Sequence, residues 1–251
     1  MIDFHTHILP ELDDGAETAE ISLELIKQDM LQGVDKILFT PHYYGNKYSP
    51  ERFLERRNES LELIRAKIPD SVEVKCGAEI YFSEEEINSD SALCKLAIEG
   101  TNYVLLELPF FGGWSEELWY RLSEFRFKTG YIPVIAHVER YEQIRKKPSL
   151  LTELIEIGCL MQCNTSSFVD VKSREMLLKM LEKNLVHCLG TDTHNLSSRA
   201  PDHAKAKEII FNSGFSGKFE TIQENMNKMW LGEKVIPQKP QELKRFLKKY
   251  Y

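Results

Sequence analysis

The sequence predicts a parallel α/β fold, a barrel or a doubly wound sheet, and three observations carry that prediction. One phrase recurs along the 251 residues: an amphipathic helical stretch, a glycine, then a short apolar run that ends in a polar residue. The apolar runs are nearly uninterrupted, as parallel strands covered on both faces are, and unlike strands with one wet side. No Pro-, Gly- or Ser-rich linker or low-complexity tract breaks the alternation, so residues 1–251 read as one domain.

The elements follow in order. A first strand near Met1–His5 leads to a helix that begins near Thr18 and runs through "ISLELIKQDMLQG", where Gly33 offers the left-handed residue that helix ends favour. A second strand lies near Lys36–Thr40, a third near Val72–Gly77 and a fourth near Tyr103–Leu108. The helical stretch "LWYRLSEFRFKTG", closed by Gly130, precedes a fifth strand near Pro133–His137. "LLTELIEIG", closed by Gly158, precedes a sixth near Leu160–Asn164, and a seventh falls near Val186–Gly190. From about Ala200 to Tyr251 the chain reads as further helices broken at Pro237 and Pro240, and the terminal "KKYY" reads as a frayed helix end or a phosphorylation site.

Composition narrows the function. With 42% hydrophobic and 28% charged residues the chain can bury a sizeable core without disulfides or a partner. A net charge of −7 and a pI near 5.6 disfavour nucleic-acid and anionic-membrane surfaces, which need a basic stripe. The five cysteines, Cys76, Cys94, Cys159, Cys163 and Cys188, are odd in number and read mostly as reduced core thiols. Cys159 and Cys163 have no second pair nearby to close a zinc site. No signal-peptide pattern and no apolar stretch of about 20 residues is present, so a cytoplasmic protein is expected.

Metal-type side chains collect at the predicted strand ends. His5 and His7 are alternate strand residues, about 6.6–7 Å apart, and can face one point beyond the first strand. His42 follows the second strand, Glu79 the third, Glu107 ends the fourth and His137 the fifth, and Asp192 with His194 follow the seventh. Strand C-termini share one face in parallel α/β folds, and active sites are built there. Five of the seven histidines thus converge; His187 opens its strand at the opposite end and His203 sits in a helical stretch, so both read as structural or exposed. Alternatives stand beside several of these roles. Glu107 also fits a solvated loop carboxylate, and of Asp13 and Asp14 the second is preferred as ligand and the first as a cap for the Thr18 helix.

Nine imidazole and carboxylate donors are too many for one ion and suit two or three Mn, Fe or Zn ions better than Ca or Mg. Three divalent ions against four carboxylates leave a surplus of about two positive charges, which fits a phosphate monoester. Paired metals generate hydroxide at neutral pH and stabilise an in-line displacement. Arg140 and Arg199 follow His137 and His194 on the same face and match phosphate oxygens, or else form surface salt bridges. No Cys has an Arg six residues later, and no D-x-D or phosphate-binding loop occurs, which leaves metal-activated water as the nucleophile.

"DFHTH…DDG", "TPH", "GAEIYF", "PVIAHVERY" and "GTDTHN" resemble the motifs of the polymerase and histidinol phosphatase (PHP) superfamily. They are closest to its bacterial tyrosine phosphatases encoded with capsular and exopolysaccharide genes, in unbroken order from Met1 to about Pro201. The resemblance implies a distorted TIM-like (β/α)7 barrel with extra C-terminal helices, a trinuclear site commonly loaded with Mn²⁺, and dephosphorylation of the tyrosine-rich tail of a cognate tyrosine kinase. It makes His5, His7, Asp14, His42, Glu79, Glu107, His137, Asp192 and His194 the metal ligands, Glu79 the bridge, and Arg140 and Arg199 the phosphate-gripping arginines. The aromatic loops with Tyr43, Tyr44, Phe110, Phe111 and Trp114 read equally as phenyl-ring walls for substrate or as core packing. Two rivals remain: a small-molecule phosphatase such as histidinol-phosphate phosphatase, and a regulatory module that docks on a kinase without catalysis.

Overall fold

The computed structural model describes residues 1–83, 90–246 and 249–251. The first half runs β1 (Ile2–Thr6), α1 (Ala19–Leu31), β2 (Lys36–Phe39), β3 (His42–Tyr43), α2 (Pro50–Arg65), β4 (Glu73–Cys76), β5 (Glu79–Tyr81), α3 (Asp90–Lys95), β6 (Tyr103–Glu107) and α4 (Glu116–Thr129). It continues through β7 (Ile132–Ile135), a 3₁₀ turn at Val138–Arg140, α5 (Glu142–Lys146), α6 (Leu150–Glu156), β8 (Leu160–Asn164), α7 (Ser166–Val169) and α8 (Val171–Glu182). β9 (Cys188–Gly190), α9 (His203–Asn212), α10 (Ser216–Trp230), β10 (Arg245–Phe246) and β11 (Lys249–Tyr250) complete it. No helix among the described residues is long and apolar enough to cross a membrane.

Three strands pair in the order β1-β2-β4 and six in the order β3-β5-β6-β7-β8-β9, every pairing parallel. Backbone bonds continue the ladder past the kinks of β2/β3 and β4/β5, and join the two sheets between β1 and β9. Gly77 N donates to Phe39 O (2.8 Å) and Glu79 N to Pro41 O (3.0 Å) at the kinks; Asp192 N donates to His5 O (2.8 Å) and His7 N to Thr193 O (2.9 Å) between the sheets. A curled parallel sheet results, and its strand C-termini share one rim.

The second and third expected strands are β2 and β4, and each is followed across a break by a short strand the sequence did not predict, β3 and β5. Pro41 has no N–H to offer a ladder and sits at the first break. The second falls at Gly77–Ala78, where the backbone passes close over Ile98. Helix entries follow side-chain caps: Thr18 accepts from Ile21 N, Ser49 from Arg52 N ahead of Pro50, and Ser115 from Leu118 N. Gly33, Gly130 and Gly158 take φ values of 87°, 73° and 93°, the left-handed backbone their places at helix ends require.

All residues of β6 and β7 are buried, so both faces of the sheet are covered. α1 and α2 bury Leu25, Ile26, Leu61 and Ile64 against Ile37, Phe39 and Cys76. All five cysteines carry free thiols, four of them buried. At the end away from the rim, the Tyr103 hydroxyl donates to Glu233 O (2.7 Å) and accepts from Val235 N (2.9 Å), fixing the segment after α10. The tail does not end as a helix. Beyond α10 it runs irregularly past Pro237 and Pro240, then Arg245–Phe246 pair antiparallel with Lys249–Tyr250. Lys244 and Tyr251 exchange both backbone bonds, so Tyr250 and Tyr251 belong to an antiparallel strand pair, while Lys248 lies outside the described residues.

Candidate metal centre

The seam between β1 and β9 sets two i, i+2 pairs side by side, His5 with His7 and Asp192 with His194. Gly190 makes that approach possible, since a Cβ there would lie 2.5 Å from His5 Cβ and 2.7 Å from His5 N. Gly15 passes as closely over His7 O. His137 (φ 32°) and Asp192 (φ 55°) both sit in left-handed backbone, a strain of about 1–3 kcal/mol each for residues with a Cβ, concentrated at the rim.

From these positions the donors close on one another. His5 Nε2 and His7 Nε2 are 3.1 Å apart, and Glu79 Oε2 is 3.2 Å from each. Asp192 Oδ1 stands 3.7 Å and 3.4 Å from the same two nitrogens. His42 Nδ1 is 3.0 Å from Glu79 Oε2, and Asp14 Oδ1 is 3.4 Å from His42 Nε2 and 3.5 Å from His194 Nε2. His137 Nε2 meets Glu79 Oε1 at 2.7 Å and Glu107 Oε1 at 3.4 Å. Three overlapping groups could each hold an ion: His5, His7 and Asp192; His7, Asp14, His42 and His194; His42, Glu79 and Glu107. Glu79 touches four of the histidines through two oxygens, the geometry of a bridging carboxylate.

The hydrogen bonds behind the rings fit bound cations. His7 Nδ1 donates to Asp13 Oδ2 (2.7 Å), His194 Nδ1 to Asp192 O (2.9 Å) and His5 Nδ1 to Gln162 Oε1 (3.1 Å), an atom that also accepts from His137 N. Each bond puts the ring proton on Nδ1 and turns the Nε2 lone pair inward. Two lone pairs facing across 3.1 Å call for a positive charge between them. Glu79 Oε2, His137 Nδ1 and His194 Nε2 are buried with no hydrogen-bond partner. Charges within the cage push the same way. Burial opposes ionisation of Asp13, but His7 overrides it and holds the carboxyl at about 2. Glu79 and Asp192, also against burial, are held low by the surrounding histidines. Burial disfavours protonated His7 and His137, yet Asp13 raises the first and Glu107 with Glu79 raise the second to about 9. The carboxylates stay anionic through the neutral range and draw positive charge, proton or metal ion, to the rings.

Arg140 Nη1 donates to Asp192 Oδ2 (2.9 Å) and Arg199 Nη2 to Asp192 Oδ1 (2.6 Å), so both guanidinium groups stand at the mouth of the cage, partly exposed. They border a pocket of about 330 Å³ whose floor is Glu79, His137 and Asp192 and whose walls include Tyr44, Tyr81, Phe110 and Phe111. The Arg140 guanidinium lies 5.1 Å over the Phe110 ring, which stacks at 5.5 Å on His137.

A family model described as capsular polysaccharide synthesis, CpsB/CapC, matches residues 1–229. The chain belongs to the CpsB/CapC family. It is 32% identical over 254 residues to the tyrosine-protein phosphatase YwqE of Bacillus subtilis, covering 98% of this chain and 97% of that one. It is 30% identical to the tyrosine-protein phosphatase CpsB of Streptococcus agalactiae, over 84% and 89% of the two chains. A crystal structure from work on YwqE of Bacillus subtilis and CpsB of Streptococcus pneumoniae, described there as unique metal-dependent tyrosine phosphatases, superimposes with TM-score 0.83. That match is 32% identical and covers 98% of this chain and 100% of the other. Histidinol phosphate phosphatase of Lactococcus lactis, solved with zinc, histidinol and phosphate, matches at TM-score 0.51 and 15% identity over 85% and 94%, a likeness of fold alone.

In this CpsB/CapC chain the nine expected donors stand together at the rim. The aromatic expectations divide. Phe111 borders the pocket and is 93% exposed. Tyr43 does not border it: its ring packs edge-on against Phe53 at 5.2 Å in the core, and Tyr44 takes the rim position because successive residues of extended chain face opposite ways. Trp114 likewise lies away, packed on Tyr141 at 5.3 Å with Nε1 donating to Pro109 O. Asp13 does not cap the first helix, which Thr18 does; it orients His7 and accepts from His42 N (2.9 Å) and Gly15 N (2.9 Å). Sequence reading missed Gln162 and Asn164. Gln162 bonds His5 and His137 and passes its Nε2 to Asn164 Oδ1 (3.0 Å), and Asn164 Nδ2 donates to Asp192 Oδ2 (2.8 Å). Their i, i+2 spacing at the end of the sixth expected strand was the signal available.

Proposed function

We propose that this chain is a metal-dependent protein-tyrosine phosphatase, a single domain built as a (β/α)7 barrel of the PHP type. Counting β2/β3 and β4/β5 as two kinked strands gives the seven units, and the backbone bonds across the kinks and between β1 and β9 support closure. His5, His7, Asp14, His42, Glu79, Glu107, His137, Asp192 and His194 would hold two or three divalent ions, Mn²⁺ first and Fe or Zn as alternatives, with Glu79 bridging. Such ions supply Lewis acidity toward the phosphoryl oxygens and an activated water.

The chain's own residues do the rest. Asp13, Gln162 and the Asp192 carbonyl fix the tautomers of His7, His5 and His194. Arg140 and Arg199 grip the non-bridging phosphate oxygens by moving one donor each from Asp192 to the ester. Tyr44, Tyr81, Phe110 and Phe111 flank a phenyl ring, and the phenolate leaving group, of pKa about 10, needs little acid assistance. The phosphotyrosine would come from the tyrosine-rich tail of a bacterial tyrosine kinase of capsule or exopolysaccharide synthesis. Free buried thiols suit a cytoplasmic location.

What carries this reading is one observation: nine donors from seven places in the chain meet in a cage beside two arginines, in a CpsB/CapC chain. Purified protein should hydrolyse a phosphotyrosine peptide, lose activity to a chelator and regain it with Mn²⁺. Activity that survives both chelation and His5→Ala overturns the proposal, and a kcat/KM that strongly favours histidinol phosphate would replace the substrate.

A further inference from the structure

A second group of donors meets where β1, the last turn of α1 and the start of α9 come together. Asp3, Asp29 and His203 each present one ligand atom, all within 4.8 Å of one another, and the three residues are 0%, 0% and 3% exposed. His203 Nε2 stands 3.2 Å from Asp3 Oδ2. Both Asp29 carboxylate oxygens and His203 Nε2 are buried with no hydrogen-bond partner. Folded proteins seldom leave such atoms uncompensated, because each loses its water and gains nothing.

The surroundings hold these side chains in place. Asp3 Oδ1 accepts from Thr191 N (2.9 Å) and His5 N (3.2 Å), and Asp3 Oδ2 accepts from the Thr191 hydroxyl. Gln32 clamps the end of α1 to the start of α9, its Nε2 donating to Pro201 O (2.8 Å) and its Oε1 accepting from Ala204 N (2.9 Å). Asp29 and His203 are thereby pressed toward Asp3. Charge is out of balance as well. Two carboxylates face one imidazole, and a third, Asp202, lies close by with its oxygen on the Thr165 hydroxyl.

We propose that Asp3, Asp29 and His203 form a separate structural site for one divalent transition-metal ion of the zinc or manganese class. The two carboxylates neutralise a 2+ ion in a buried place, and the imidazole favours such an ion over Ca²⁺ or Mg²⁺. Asp29, with both oxygens unengaged, can supply two of four coordination positions. The ion would join β1, α1 and α9 and, through the Asp3 bonds to His5 N and Thr191 N, stiffen the seam that carries the catalytic cage.

The test is metal counting. Chelator-stripped protein is reloaded with Zn²⁺ or Mn²⁺, desalted and assayed by mass spectrometry for metal per chain. Asp29→Asn and His203→Gln should each retain one equivalent fewer than the wild type, and crystals of the loaded wild type should show an anomalous peak among Asp3, Asp29 and His203. Equal metal content in wild type and folded variants overturns the site. Should the variants not fold, a wild-type anomalous map with peaks at the cage and none at Asp29 overturns it equally.

Discussion

Replacing Asp13 by asparagine exchanges one oxygen for nitrogen at a residue that need not touch substrate, yet on this geometry it disables the cage. Asp13 Oδ2 accepts from His7 Nδ1 (2.7 Å) and His42 N (2.9 Å), and Oδ1 from Gly15 N (2.9 Å). With its carboxyl held at about 2, the side chain is an acceptor on both oxygens at any assay pH. An amide turned either way sets its NH₂ against a backbone N–H. Turned toward His7, it also makes Nδ1 the acceptor and moves the ring proton to Nε2, where it points at His5 and Glu79. Losing such an orienting partner lowers metal affinity by about 10–100-fold, or about 1.4–2.7 kcal/mol. The opposed N–H costs a further 1–3 kcal/mol or so of stability. Metal-free Asp13→Asn titrated with Mn²⁺, read by phosphotyrosine-peptide hydrolysis, should half-saturate at least tenfold higher than wild type and unfold earlier in urea. Half-saturation within twofold of wild type would refute the tautomer argument.

Arg140→Ala and Arg199→Ala should each lower kcat/KM on phosphotyrosine peptide by about 10–150-fold, the worth of a charge-assisted hydrogen bond, with lysine restoring only part of it. A methyl group at Gly190 collides with His5 Cβ at 2.5 Å, so Gly190→Ala should cost about 1–3 kcal/mol or more in denaturant melts and reduce bound metal as β1 shifts. His187 titrates at about 4 because burial disfavours its charge, and it accepts from Met161 N through Nδ1 (2.9 Å). The unfolded chain, titrating near 6.5, binds the proton more readily, so stability falls as pH drops from about 6.5 toward 4. The loss is about 2 kcal/mol between pH 7 and 5. His187→Asn, whose Oδ1 can replace Nδ1, should flatten that fall in urea melts, and an unchanged pH slope would count against it.

How much was legible depended on whether a feature is local. The sequence by itself carried the parallel α/β class and a strand at or near each expected place, because both-face burial writes itself as short apolar runs and each run is set by its own residues. It also put His5, Glu79, His137 and Asp192 at or just past the ends of expected strands, and a parallel sheet gathers strand C-termini on one rim. Tertiary structure decided which member of each local pair faces inward. Tyr44 and not Tyr43 reaches the pocket, since Pro41 and the β2/β3 break set the strand's phase. Asp13 serves His7 and not the helix because the loop folds back to place Gly15 under His7 O. The meeting of Asp3, Asp29 and His203, and the bond from Asn164 to Asp192, join residues far apart in the chain. No periodicity records such meetings: a side chain's hydrogen-bond partner is fixed by the close packing of whole elements, and that packing is a property of the folded chain.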